Sequence, residues 1–307
     1  SEFGLVKTEL DALAAVDATR SATLVVAASD SSDLSKDQAD YVCDGTADQT
    51  EINAAIAALP ATGGRVLLLD GTYITSSDIV PTSNTSIVGQ GFSTIIKPAN
   101  SSTHNIFSGT NLSNILLKDF RIEGNKSNLT YQDDADLQNG ILCNEWYNSV
   151  LNNLLILNCI GNGLRIKTQD GTDSSKLLHN QISNVISRLN NVNGCSIETY
   201  AEYMNFGNCS FSNNTQYGVY INSANNIFSN CTVIQNSKSG VFVDTSAKTT
   251  NNMFFGNQIN HNLEHGVFLN TDTSNTIIQS CKVIANSYHG IYNYASGYNV
   301  ILGNTVT

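Results

Sequence analysis

Apolar and polar residues alternate in short phrases that recur along most of this 307-residue chain. From residue 139 onward, a glycine is followed by four residues of which the first and third are mainly apolar. Alternation with a period of two predicts a strand with one buried face. Steps between these glycines are 22 to 26 residues, apart from one step of 31 that indicates an inserted loop: Gly140, Gly163, Gly194, Gly218, Gly240, Gly266 and Gly290.

Two further sequence features recur with the same period. A second alternating phrase begins nine residues before each later glycine, as in Cys209-Ser-Phe211. An asparagine stands four residues before the glycine, and the first coil has Cys159 there instead. Asparagine tolerates the left-handed backbone of tight bends, and stacked asparagines can form a ladder of side-chain amides. We therefore expect such a ladder at Asn190, Asn214, Asn236, Asn262 and Asn286.

One coil of this length holds two or three short strands and cannot bury its own apolar face. Stacked coils bury it together, with parallel strands about 4.8 Å apart. The pattern therefore predicts an all-β fold, a single-stranded parallel β-helix. Leucine-rich repeats and propellers fit less well, because the leucine phrase is absent and a blade of four strands needs about 40 residues.

The N-terminal part has a different pattern. Residues 8–19 and 49–59 are predicted to be helical, and Asp48 and Glu51 have the spacing of a capping box. Residues 1–4 look like a cloning scar, 5–64 an N-terminal segment with a capping helix, and 65–307 the β-helix. Two more strand phrases occur at 300–306, so we expect a further coil and a β-helix truncated at its C-terminal end.

Five phrases near the N-terminus resemble the first coils of the pectate-lyase-like β-helix superfamily. They are Asp-Gly-Thr-Ala-Asp at 44–48, Ile-Asn-Ala-Ala-Ile at 52–56, Gly-Gly-Arg-Val at 63–66, Asp-Gly-Thr-Tyr at 70–73 and Ile-Val-Gly-Gln-Gly at 87–91. The resemblance covers 44–97, and the coil repeats cover 139–306. It implies a right-handed parallel β-helix whose N-terminal helix covers the open apolar end. The superfamily contains lyases, hydrolases, epimerases and viral tail spikes, so the resemblance leaves the activity open.

The amino-acid composition argues against several classes of function. The formal net charge is −11, which disfavours a nucleic-acid partner because phosphates need clustered Lys and Arg. There is no run of eighteen apolar residues, so no membrane span is predicted. The seven cysteines lack Cys-x-x-Cys spacing and follow the repeat. We interpret most of them as small buried hydrophobic residues rather than as disulfides or zinc ligands.

The register of the glycine phrase assigns an outward column. The first and third residues after glycine point inward, and the second and fourth point outward. The second position carries four aromatics that would form an exposed apolar row. Sugar rings stack on such faces, with polar neighbours to bind hydroxyls; a subunit interface, as in a homotrimer, and a purely structural ladder are the alternatives. The predicted ligand-binding residues are Tyr220, Asn222, Phe242, Phe268, Asn270 and Tyr292.

Charged residues on the same column are candidates for catalysis. Arg165 and Lys167 have the chemistry that a uronan lyase needs for proton abstraction and carboxylate neutralisation. The alternative is a cross-strand ion pair between Lys167 and Glu198. Glu198 and Asp244 would lie two coils apart, about 9.6 Å at 4.8 Å per coil, which just reaches the separation found in inverting glycosidases.

A Ca²⁺ site is a further hypothesis for the acidic loop that contains Asp133, Asp134 and Asp136, since Ca²⁺ binds clustered carboxylates. A solvated acidic turn is the alternative.

Taken together, the sequence predicts a carbohydrate-active β-helix, a lyase or glycoside hydrolase that acts on a polysaccharide. The alternative is a non-catalytic polysaccharide-binding or tail-spike adhesion module. Either would be expected outside the cell or on a virion surface.

Overall fold

The computed structural model describes residues 22–168, 178–198, 200–244, 249–295 and 297–307. The predicted helix at 8–19 and the scar at 1–4 lie outside these residues. Within them the chain is almost entirely short parallel strands, arranged in two sheets that the coils traverse in turn. The predicted all-β parallel β-helix is therefore confirmed, and the core is the space enclosed by the coils.

Sheet 1 contains twenty described strands and sheet 2 contains eight. The strands of sheet 1 are β1 Thr23–Ala27, β2 Tyr41–Val42, β3 Gly64–Leu68, β4 Gly71–Thr75, β5 Thr85–Val88, β6 Thr94–Pro98, β8 Leu116–Glu123, β10 Val150–Leu157, β12 Gln181–Ser183, β13 Ile186–Arg188, β15 Asn205–Gly207, β16 Ser210–Ser212, β18 Ile227–Ser229, β19 Thr232–Ile234, β21 Met253–Phe255, β22 Gln258–Asn260, β24 Ile277–Gln279, β25 Lys282–Ile284, β27 Val300–Leu302 and β28 Thr305–Val306. Those of sheet 2 are β7 Phe107–Ser113, β9 Ile141–Tyr147, β11 Leu164–Lys167, β14 Cys195–Ile197, β17 Val219–Ile221, β20 Val241–Val243, β23 Val267–Leu269 and β26 Ile291–Asn293.

The glycine phrases are the strands of sheet 2, one per coil from β9 to β26, paired in parallel without slippage. The glycine that precedes each strand is required by close approach between coils. A Cβ at Gly240 would lie 2.6 Å from Nδ2 of Asn262 and 2.8 Å from the carbonyl oxygen of Gly266. Any side chain there would push neighbouring coils apart.

The predicted asparagine ladder is present, and its first four members are buried. Nδ2 of Asn190, Asn214, Asn236 and Asn262 donates to Oδ1 of the next asparagine at 2.9–3.0 Å. In the first coil the backbone N–H of Cys159 donates to Asn190 Oδ1 at 3.0 Å. The left-handed bend lies one residue before the ladder, as at Asn213 and Gln235. The ladder residue itself thus bonds the next coil instead of supplying the bend.

Two helices are described, α1 Asp33–Asp37 and α2 Gln49–Ala57. Helix α2 buries Ile52, Ala55 and Ile56 and contacts β1 to β4, so it covers the N-terminal end of the core as expected. The predicted capping box is wrong, because the Asp48 side chain does not cap the helix. It is fully buried and instead accepts hydrogen bonds from the backbone N–H groups of Gly45 and Ile74, at 2.8 and 2.6 Å.

Strands β1 and β2 lie within 5–64 and already pair in parallel in sheet 1. Parallel pairing therefore begins before residue 65, the predicted start of the β-helix. In the interior, Phe206, Phe228 and Phe254 stack on successive coils with centroid distances of 4.4 and 5.3 Å. All seven cysteines are buried and free, which confirms that they act as small core residues.

Candidate functional site

Four aromatic rings lie on the outer face of sheet 2, as the register predicted. Tyr220, Phe242, Phe268 and Tyr292 are directly paired on successive strands and half-buried. Their successive ring centroids are 5.9, 5.2 and 5.1 Å apart. Their inward neighbours on β17, β20 and β23 are fully buried in the core. We call these four rings the aromatic column.

Three residues that immediately precede glycines widen the column. Tyr217 stacks on Phe242 at 4.7 Å, and the ammonium of Lys238 lies 5.1 Å from the Tyr217 centroid. His265 stacks on Tyr292 at 4.8 Å and on His289 at 5.2 Å. Burial, more than the neighbouring imidazole of His289, lowers the pKa of His265. The equivalent positions of the two histidines are visible in the sequence, whereas their contact with the column is not.

Arg165 is the centre of a network of four charged side chains at the N-terminal end of the column. It is only 6% exposed. Its Nε and Nη2 donate to the two oxygens of Glu198 at 2.5 and 2.7 Å, and its Nη1 donates to Asp136. Lys167 Nζ donates to both oxygens of Asp136 at 2.8 and 2.6 Å. The predicted ion pair between Lys167 and Glu198 is wrong, since the bidentate partner of Glu198 is Arg165.

Charge pairing shifts the pKa values of two members of this network, Asp136 and Arg165. Partial burial acts to raise the pKa of Asp136, but the Lys167 hydrogen bond and the charges of Arg165 and Lys167 outweigh it and lower that pKa. For Arg165, burial acts to lower the pKa, and the bonds to Glu198 and Asp136 raise it overall. Both cations thus have carboxylate partners.

Asp244 and Tyr220 form a second polar pair. The Tyr220 hydroxyl donates to Oδ2 of Asp244 on the next coil. Burial and this bond raise the pKa of Tyr220, so the phenol stays protonated at neutral pH. Burial also raises the pKa of Tyr217 to about 12. The structure thus brings Tyr220 between Glu198 on the preceding coil and Asp244 on the following one.

A groove of about 320 Å³ lies where the charged network meets the aromatic column. Its walls include Ser196, Glu198, Tyr217, Tyr220 and Asn222. Asn270, two coils further on, lies outside this groove; its Oδ1 accepts from the Thr271 N–H at 2.9 Å. The groove combines a carboxylate, a phenol hydroxyl and an aromatic face.

The acidic loop is tied to this network. Asp136 is bound by Arg165 and Lys167, and its backbone N–H donates to Asp134 Oδ1 at 2.9 Å. Across the described segments, three or more metal-ligating side chains come within 4.8 Å of one another only at Cys43, Asp48 and Glu51, beside α2. Ca²⁺ binding by Asp133, Asp134 and Asp136 stays a prediction.

No helix in the described part of the chain has the length and apolarity to cross a membrane. Residues 186–307 match the family model of the right handed beta helix region. No curated protein sequence matches the chain.

Solved structures similar to this chain share little of its amino-acid sequence. The mannuronan C-5 epimerase AlgE4 A-module of Azotobacter vinelandii has a TM-score of 0.72 at 21% identity, over 85% of this chain and 74% of that one. ORF18 of Geobacillus virus E2 has a TM-score of 0.66 at 15% identity, over 83% of this chain and 56% of that one. Tailspike gp49 of Acinetobacter baumannii bacteriophage Fri1, a capsular polysaccharide depolymerase, has a TM-score of 0.54 at 15% identity, over 93% of this chain and 59% of that one. This chain therefore spans somewhat more than half of each phage protein. The predicted right-handed parallel β-helix is confirmed at the level of the fold.

Proposed function

We propose that this chain binds a polysaccharide along the aromatic column and cleaves it in the adjoining groove. The observation that carries the proposal is the continuity of the two features. Rings repeat once per coil on the outer face of sheet 2, and the first of them, Tyr220, also lines the groove that contains Glu198. A polymer that runs parallel to the helix axis meets one ring on each coil, so its sugar faces stack while Asn222 and Asn270 bind hydroxyls.

We propose hydrolysis rather than elimination, because Glu198 lines the groove and the hydroxyl of Tyr220, another of its walls, donates to Asp244. Glu198 and Asp244 are two coils apart in the sheet 2 register, a backbone rise of about 9.6 Å, just above the roughly 6.5–9.5 Å that separates the carboxyl groups of an inverting pair. In this proposal Glu198 takes a proton from the attacking water as the glycosidic bond breaks, and the leaving oxygen receives its proton from the hydrogen-bonded pair of Tyr220 and Asp244. Elimination from a uronan would use Lys167 and Arg165 as base and carboxylate partner. Both are already bound to carboxylates.

Polysaccharide as the ligand class has support from the similar structures. The names of two of them state an action on polysaccharides, as a mannuronan epimerase and a capsular polysaccharide depolymerase. At 15–21% identity these likenesses establish the fold alone, so the ligand class is carried to this chain as a proposal. On the same grounds we propose that the protein acts outside the cell or on a virion surface.

A non-catalytic binding or tail-spike adhesion module is the second candidate. The observation that favours it is the closed network, in which Glu198 is bound bidentately by Arg165. In that function the aromatic column binds glycan, or is buried between subunits of a homotrimer. Light scattering coupled to size exclusion distinguishes a monomer with an open column from a trimer that buries it.

The test is a screen of purified protein against neutral and acidic polysaccharides, with and without Ca²⁺. Hydrolysis releases reducing ends, whereas elimination also gives the ultraviolet absorbance of unsaturated uronates. Glu198→Gln and Asp244→Asn are expected to abolish release of reducing ends, while Glu123→Gln, on sheet 1, retains it. Binding without any cleavage by the wild type would overturn the catalytic part. Absence of both binding and cleavage across the panel would overturn the proposal.

A further inference from the structure

A second charged pocket lies on sheet 1, on a different face from the aromatic column. It has a volume of about 460 Å³ and shares no lining residue with the groove. Lys97 comes from β6, Arg121 and Glu123 from β8, and Lys126 from the 3-10 turn Lys126–Asn128 that follows β8. Neither the sequence pattern nor the proposed function accounts for it.

The pocket is positive in a protein whose formal net charge is −11. Three of its lining side chains are cationic and one is a carboxylate, so it carries a net two positive charges. That carboxylate, Glu123, is bound by Arg121 and accepts from Asn158 Nδ2 at 2.7 Å. Among the described residues, no carboxylate lies within 4.0 Å of the Lys97 or Lys126 ammonium. Glu123 therefore balances Arg121 and leaves the two lysines uncompensated.

The hydrogen bonds of Lys126 and Arg121 leave donors for a ligand. The Lys126 ammonium has three N–H groups and donates to the carbonyl of Leu189, which lies outside the pocket lining. Arg121 donates from Nη2 to Glu123, and its Nε is buried without a hydrogen-bond partner in the described structure.

We propose that this pocket binds a tetrahedral oxyanion, a phosphate or sulfate group, between Lys97, Arg121 and Lys126. Guanidinium and ammonium groups are the side chains that proteins use to bind such anions. The group is either a free ion or an ester on a polymer. The proposal does not depend on glycan binding at the aromatic column, because the two sites lie on different sheets.

The experiment measures binding of inorganic phosphate and inorganic sulfate to the whole protein by isothermal titration calorimetry at constant chloride concentration. Dextran sulfate and uncharged dextran form two further arms. The variants are Lys97→Gln with Lys126→Gln, and Glu123→Gln. The matched control is Lys118→Gln, which removes a lysine of the same strand that pairs with Asp119 outside the pocket. Circular dichroism checks that each variant is folded.

We expect saturable binding of both ions, a loss of about tenfold or more in affinity for the double lysine variant, and no change for Lys118→Gln. Glu123→Gln is expected to tighten binding, because it removes the only carboxylate of the pocket. Tighter binding of dextran sulfate than of free sulfate, without binding of dextran, identifies a polymer ester as the ligand; the reverse order identifies the free ion. No saturable binding of either ion, or equal binding by all folded variants, would overturn the proposal.

Discussion

The ladder asparagine Asn236 offers a direct measure of what holds the coils together. Its side chain is fully buried. Its Oδ1 accepts from the backbone N–H and from Nδ2 of Asn214, at 3.1 and 3.0 Å. Its Nδ2 donates to the carbonyl of Phe211 at 3.1 Å and to Oδ1 of Asn262 at 2.9 Å. One amide therefore connects three successive coils.

Asn236→Ala leaves the buried N–H of Asn214 without this acceptor and removes three further hydrogen bonds. An orphaned buried polar group costs roughly 1–3 kcal/mol, and water has no access to this position. We expect the free energy of unfolding to fall by about 3–5 kcal/mol, near the upper end for single substitutions. Asn205→Ala is the matched control, because Asn205 is an exposed asparagine in a sheet 1 strand and should change stability by no more than about 0.5 kcal/mol.

Urea unfolding followed by circular dichroism gives the change in the free energy of unfolding of the whole chain. Stacked coils need not unfold as one unit. Hydrogen exchange of peptides that contain Asn214 therefore gives the change in stability of the coils next to the substitution. Asn236→Ala should increase exchange on the neighbouring coils more than on those around Trp146. If Asn236→Ala were as stable as Asn205→Ala by both measurements, the inference that the ladder stabilises the stack would be refuted.

Three further predictions concern charge, pH and the thiols. Arg165→Met should lower the free energy of unfolding by about 3–5 kcal/mol in urea melts, since it leaves Glu198 without its bidentate partner, and a wild-type midpoint would contradict this. The pKa of Asp136 is lowered in the folded state, so its contribution to stability is complete above its unfolded pKa of about 3.9 and is lost as the pH falls through the folded value. Asp136→Asn should accordingly flatten the decline of the melting temperature below about pH 4, and an unchanged slope would contradict that assignment. Ellman's reagent should react with none of the seven cysteines until urea unfolds the chain, because all are buried and burial raises the pKa of thiols such as Cys143; fast reaction in the native state would contradict this.

The periodic features of the fold could be predicted because each coil repeats the same local physics. Glycine at 240 and asparagine at 236 occupy the positions that stacking requires, and the alternation around Phe242 sets which side chains face outward. The pairing of Arg165 with Glu198 could not be predicted in the same way. Its geometry depends on Asp136, which reaches the network from a loop outside the repeat.

The N-terminal helix shows the same limit. Its apolar face was visible at Ile52, Ala55 and Ile56, and these residues are buried as expected. The carboxylate of Asp48 has the spacing of a helix cap, but the buried N–H groups of Gly45 and Ile74 bind it instead. Local spacing identifies a candidate partner, and tertiary contacts decide between partners.

In the proposed function, the aromatic column is the surface that binds the polysaccharide. This role is tested by the dissociation constant of the best oligosaccharide from the screen, measured by calorimetry for the double variant Phe242→Ala with Phe268→Ala. The control is Phe255→Ala, the same change on the outer face of sheet 1. We predict that the double variant binds at least about tenfold more weakly and that the control binds like the wild type. Equal affinities for all three proteins would contradict the claim.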